Sequence, residues 1–230
     1  MSRISALSCD VTSILNNLQM KKILHIDSSP RLERSHSRKL SRELRDRLLK
    51  KYPEHQLLYR DLNVGTPPHI DVPWIDAAFS PQETLSPRQK QAVDLSDHLI
   101  NEFLSADIYV IGIPMYNFGM PSVFKAYIDN IIRINRTFSF DPKDQDEPYK
   151  PLVSDGKTMY VIIATGDDGF QKDEDFYALN HLEPHLQTIF EFIGISDIKF
   201  IYCGNAEYGG EKLEKSIREA MGEIENLIGV

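Results

Sequence analysis

The sequence predicts an open α/β fold: one doubly wound, five-stranded parallel sheet with helices covering both faces. Two observations carry that prediction. Five short apolar runs, at residues 22–27, 56–60, 107–113, 158–164 and 198–204, alternate with stretches of helical character, the pattern of parallel strands joined by crossover helices. The run "DIYVIGI" carries no charge after Asp107, as a strand buried on both faces requires. Right-handed crossovers restrict the topology strongly, and the strand order 2-1-3-4-5 satisfies them. With 230 residues, 41% of them hydrophobic, the chain can bury one sizeable core, so a single domain over residues 20–230 is expected.

Each element follows from its residues. Residues 1–19 read as an N-terminal extension outside the core, lacking the sustained apolar stretch and cleavage site of a secretion signal. "KILHID" (22–27) is the first strand. From Ser37 to Lys51, Leu40, Leu44 and Leu48 recur at every fourth position between charges, the stripe of a surface helix. "QLLYR" (56–60) is the second strand, and the Pro-rich stretch from Asn63 to Leu85 reads as a long surface loop. Ser86, Pro87 and Gln89 then supply a cap, a first-turn proline and a capping-box partner for a helix ending near Ala106. After the third strand, Pro121 suits the first turn of a helix running through Arg133. Residues 134–157 look irregular. "TMYVIIA" (158–164) is the fourth strand, a helix follows Pro184 and stops at Gly194, "IKFIYCG" is the fifth strand, and residues 211–228 form the last helix.

Composition narrows the function. A net charge of −8 argues against nucleic acid, whose binding needs Lys and Arg to neutralise phosphates. No apolar run approaches the length of a membrane span. Cys9 and Cys203 are far apart and in no metal-binding pattern, which fits a reducing cytoplasm.

In a doubly wound sheet the ligand sits beyond the carboxyl ends of the strands, where the strand order reverses. That point lies between strands 1 and 3, so loops 28–37, 114–121 and 165–175 should meet there. The first, "SSPRLERSHS", is neither a Walker A loop nor GxGxxG. It offers serine hydroxyls beside a helix N-terminus, where unpaired N–H groups and the helix dipole favour an anion. Each hydrogen bond to a charged phosphate contributes about 1.5–3 kcal/mol, so a few hold a monophosphate without lysine. A plain Ser35 cap on a solvated turn also explains the loop. The second, "PMYNFGMPS", makes an apolar shelf with one amide side chain and suits a flat heteroaromatic ring; core packing or a dimer interface explains it too. The third, "TGDDGF", has glycines that admit close backbone approach. Its paired aspartates lack further ligands at suitable spacing, so no metal is expected. Ser29 sits in no nucleophile elbow, and no histidine has the spacing of a triad partner. Asp27 raises a phospho-acceptor receiver domain, but strand 3 ends in Ile113-Pro114 without the acceptor aspartate such a domain needs.

Taken together, "SSPRLERSHS" (28–37), "LSPRQKQAVDLSDHLI" (85–100), "PMYNFGMPSVFKAYID" (114–129), "RTFSF" (136–140) and "FIGISDIKFIYCGN" (192–205) resemble the FMN-dependent NADH-azoreductases, which group with flavodoxin-like quinone reductases. The resemblance covers nearly all of residues 20–225. It implies a flavodoxin-like fold, FMN as cofactor and a homodimer whose active sites are completed by the partner subunit. It implies that Ser29, Ser35, His36 and Ser37 bind the FMN phosphate, and that Met115, Tyr116, Asn117 and Phe118 lie along the isoalloxazine. By position only, Gly166, Asp167, Asp168 and Gly169 correspond to the flavin-edge loop, where that family usually has Ser or Thr, Arg and paired Gly. The implied reaction passes two electrons by ping-pong from NADH or NADPH to a quinone or an aromatic azo compound. Since the chemistry is the cofactor's, no catalytic side chain is expected. The alternative is a flavodoxin-like electron carrier or redox-responsive flavin-binding protein.

Overall fold

The computed structural model describes residues 20–229; the expected extension over residues 1–19 lies outside them. In chain order the strands are β1 (Lys22–Asp27), β2 (Gln56–Asp61), β3 (Ile108–Pro114), β4 (Phe138–Phe140), β5 (Tyr149–Pro151), β6 (Thr158–Ala164) and β7 (Asp197–Cys203). The α-helices are α1 (His36–Lys51), α2 (Val72–Ala78), α3 (Pro87–Ser105), α4 (Ser122–Ile131), α5 (Glu183–Ile193) and α6 (Gly210–Ile228).

The five long strands form one parallel sheet in the order β2-β1-β3-β6-β7, the predicted arrangement. Successive side chains of a strand point to opposite faces, and here both faces are covered. Leu24, Ile26, Tyr109, Ile111, Val161 and Ile163 pack beneath Phe103 of α3, Tyr127 of α4 and Phe190 of α5. Their neighbours Ile23, Val110, Ile162 and Ile201 meet Leu40, Leu44 and Leu48 of α1 and Ala220 and Ile224 of α6. This two-sided burial is why the strands read as apolar runs. Strand β3 is buried at every position.

Local signals act as their chemistry requires. Ser35 accepts the Arg38 N–H at the start of α1, Ser86 and Gln89 form a reciprocal capping box on α3, and Gly194 closes α5 at φ 111°. Gly112 in β3 lets α1 approach the sheet: a Cβ there would lie 2.5 Å from Asp27 Oδ1 and 2.6 Å from Ser41 Oγ.

Three segments differ from expectation. The Asn63–Leu85 stretch contains α2, started by Asp71, whose side chain accepts the Trp74 N–H. Trp74 and Ala77 pack with Leu85 and Val93 in a small satellite core. Two turns are too short to show a helical stripe. The "irregular" 134–157 segment holds the antiparallel pair β4–β5, only three residues to a strand and too short for visible alternation. Helix α4 has Pro121 at its cap and ends at Ile131 rather than Arg133, because Arg133 turns inward to pair with Asp97 and donate to Ser96 Oγ at 2.9 Å.

Candidate functional site

Strands β1, β3 and β6 are neighbours, and the loops leaving their carboxyl ends meet at the edge where strand order reverses. Ser28 N–H and its hydroxyl both donate to Gly112 O, at 3.1 and 3.2 Å, joining the first loop to β3. Met115 N–H donates to Ala164 O at 2.8 Å, joining the second to β6. The rings of Phe118 and Phe170 stand 6.3 Å apart, linking the second loop to the third.

In the first loop Ser29, Ser35 and Ser37 are all nearly solvent-free. Ser29 Oγ accepts the Arg31 N–H at 3.3 Å, and the Ser35 and Ser37 hydroxyls are 3.1 Å apart. The first N–H groups of α1 have no intrahelical acceptor, so N–H donors stand beside the paired Ser35 and Ser37 hydroxyls with no lysine in the loop. His36 is half-buried beside them. That partial burial, then Lys39 and Arg31, holds its pKa below the ordinary value, favouring the neutral imidazole.

The second loop is a tight turn. Tyr116 and Gly119 exchange both backbone hydrogen bonds, at 2.9 and 3.0 Å. Between them Asn117 and Phe118 take φ values of 48° and 66°, the pair of left-handed residues that defines a type I′ connection. Asn tolerates that conformation; a bulky Phe pays strain. The turn presents Tyr116 and Phe118 outward, 38% and 46% exposed, which removes core packing as their explanation. Met115 differs, resting half-buried on the main core.

The third loop is held from the side by residues after β7. Asp167 accepts the Tyr208 hydroxyl at 3.1 Å, and Asp168 accepts the Asn205 amide at 3.3 Å. A Cβ on Gly166 would fall 2.8 Å from Glu207, and Gly169 sits at φ 86°. Gly169 is therefore set by its backbone and by Phe176 of the same loop, whereas Gly166 meets only the movable side chain of Glu207.

The sequence pattern of a flavodoxin-like fold family matches residues 21–228. The chain belongs to that family. Among its flavodoxin-like relatives, one from Nostoc punctiforme is 48% identical over 209 residues, spanning 91% of this chain and 98% of its own length, and is named an FMN-dependent NADH:quinone oxidoreductase. One of the same function from Trichormus variabilis is 43% identical, spanning 91% and 99%. Among solved structures, an azoreductase from Bacillus anthracis superposes with a TM-score of 0.79 at 23% identity, covering 91% of this chain and 99% of the other. An FMN-dependent NADH-azoreductase from the same species, in complex with FMN, gives 0.74 at 24%, covering 91% and 98%. At that identity these two establish the fold alone.

Under the first loop of this flavodoxin-like chain lies a polar network that the sequence reading did not find. Asp27, 1% exposed, accepts the Ser41 hydroxyl at 3.0 Å and the Tyr59 hydroxyl at 3.1 Å. His25 Nε2 is 3.0 Å from Ser41 Oγ. Arg38 grips Asp61 with two N–H groups. Burial alone would raise the Asp61 carboxyl, but hydrogen bonds from Arg38 and Asn63 hold it below its ordinary value. Burial, then the Asp27 charge and hydrogen bond, pushes the Tyr59 hydroxyl up to about 12. The available signal was His25 and Asp27, two residues apart and on one face of an otherwise apolar strand.

Proposed function

We propose that the chain is an FMN-dependent oxidoreductase that takes two electrons from NADH or NADPH and passes them to quinones and aromatic azo compounds. The observation that carries this reading is the pairing of a lysine-free hydroxyl and N–H donor set with an outward aromatic turn, at the reversal point of the sheet. Full-length relatives at 43–48% identity named for that activity support it. The donor set fits FMN. Ser29, Ser35, Ser37 and His36 suit a phosphate, which needs hydrogen-bond donors and gains from a helix N-terminus. Tyr116 and Phe118 provide apolar cover, Asn117 a polar edge, and Met115 a seat against the core. The backbone of Gly166, Asp167, Asp168 and Gly169 borders the same edge.

FMN, when bound, would supply two-electron redox chemistry, and the residues named above would hold it. The protein's residues orient and shelter it. The outward aromatic pair would shield the ring from water. The carboxylates of Asp167 and Asp168, within the third loop, accept from Tyr208 and Asn205. A cytoplasmic homodimer fits the same reading. Trp74, Ile75, Phe79, Ile128 and Ile132 line an apolar groove, with Ile75 43% and Phe79 68% exposed, suited to a second copy. No described helix is long and apolar enough to cross a membrane.

Anaerobic titration of the purified protein with NADH and NADPH tests the activity. The expected result is a yellow protein whose visible absorbance bleaches directly and returns when a quinone is added. Yellow protein that neither nucleotide bleaches overturns the reductase. Colourless protein that does not take up added FMN overturns the cofactor assignment itself.

A further inference from the structure

One arginine touches both ends of the serine loop. The Arg38 N–H donates to Ser35 Oγ at 3.3 Å, while its side-chain Nε donates to Ser29 O at 2.7 Å. The far end of the guanidinium donates to Asp61 Oδ2 and Oδ1 at 2.8 and 2.6 Å and to the Tyr59 hydroxyl at 3.2 Å. Four of the five N–H donors of the group are thus committed, and its side chain is 5% exposed. Asp27 Oδ2 lies 3.7 Å away as a second counter-charge. A guanidinium held in this way cannot turn toward an anion without abandoning Asp61. What it does control is the Ser29 carbonyl, and hence how the neighbouring N–H groups and the Ser29 hydroxyl are aimed. Lysine, a point charge on a flexible stem, cannot span the carbonyl and both carboxylate oxygens at once.

We propose that Arg38 is a positioning residue for the phosphate end of the site. It fixes the Ser29–Ser35 loop through the Ser29 carbonyl, anchored on Asp61 and Asp27, and does not itself hold the phosphate. This rests on the FMN reading above. The test titrates apoprotein with FMN and, separately, with riboflavin, which has the same ring but no phosphate. Wild-type protein that binds riboflavin but gains nothing from the phosphate overturns this proposal alone, and protein that binds neither overturns the FMN reading with it.

Arg38→Lys is expected to weaken FMN binding about tenfold, the scale of one charge-assisted hydrogen bond, and to change riboflavin binding by less than about twofold. The phosphorus resonance of bound FMN should shift or broaden in the same variant. Unchanged FMN affinity overturns the proposal. So does an equal loss for FMN and riboflavin, which is the mark of a general structural role. Asp61→Asn separates positioning from direct contact and also serves if Arg38→Lys does not fold. Loosening the anchor should weaken FMN selectively. If it strengthens FMN, the freed arginine is binding the phosphate and the proposal fails.

Discussion

Phe118, at φ 66°, occupies a conformation that suits glycine, with a ring that is 46% exposed. The backbone conformation does not serve the fold, and the ring serves it only through its neighbour Phe170. Left-handed backbone at a bulky residue costs about 1–3 kcal/mol, and an outward ring returns little burial. The prediction separates stability from binding. Phe118→Gly should leave apoprotein stability within about 1 kcal/mol of wild type in denaturant titration, the relieved strain offsetting the entropy of glycine and the lost contact with Phe170. It should also weaken FMN by about tenfold, through loss of ring cover worth about 1–2 kcal/mol. A variant that loses stability and keeps FMN would return the turn to a structural role. The residues Met-Tyr-Asn-Phe were visible in the sequence as an apolar shelf. Their turn type was not, because a type I′ connection is ordinarily signalled by Asn-Gly, and here Phe occupies the second place.

Between elements, the joint of β1, β2 and α1 is polar where the rest of the sheet is apolar. Tyr59 donates to Asp27 across the β1–β2 boundary, and its pKa stands at about 12 against an ordinary 10. The folded state therefore holds this proton more tightly than the unfolded chain. Its stabilisation is fully present below pH 10 and is lost as pH rises through about 12. Thermal melts across that window should show wild type falling more steeply than Tyr59→Phe; parallel curves would sink the assignment. This joint explains what was legible. Long strands such as β3 announce themselves by uninterrupted burial, and Ser86–Gln89 by spacing alone. The Arg38–Asp61 pair is separated by 22 intervening residues and appears only once β2 is laid beside β1. Helix α2 and the β4–β5 pair are hidden in the sequence for a different reason: each spans too few periods for a pattern to repeat.

At the scale of the molecule, the apolar groove lies between α2 and α4 and is lined also by Phe138 of β4 and by His185 and Ile189 of α5. Phe79, 68% exposed at the end of α2, stands on its rim. If a second copy covers this face, Phe79→Glu should shift the protein from dimer to monomer in light scattering and sedimentation, while the far-ultraviolet dichroism stays unchanged. A wild-type protein that is monomeric at the same concentrations would remove the dimer from the proposed function. The sheet order was legible because crossover handedness leaves few alternatives. The exposed face of α2 is not legible, since the Pro-rich stretch around it carries the signals of a loop.

Gly112 has a bearing on how this chain can change over generations. Its missing side chain is the space that Asp27 and Ser41 fill, at 2.5 and 2.6 Å. A lineage that enlarges position 112 first must pass through a broken intermediate, with a methyl group driven against a buried carboxylate. Shortening Asp27 or Ser41 alone leaves the other in the way, and the Ser37 carbonyl stands 3.0 Å off besides, so both side chains must give way, with the hydrogen bonds that steady α1. The order of mutations is therefore constrained: the polar pair has to give way before the glycine can.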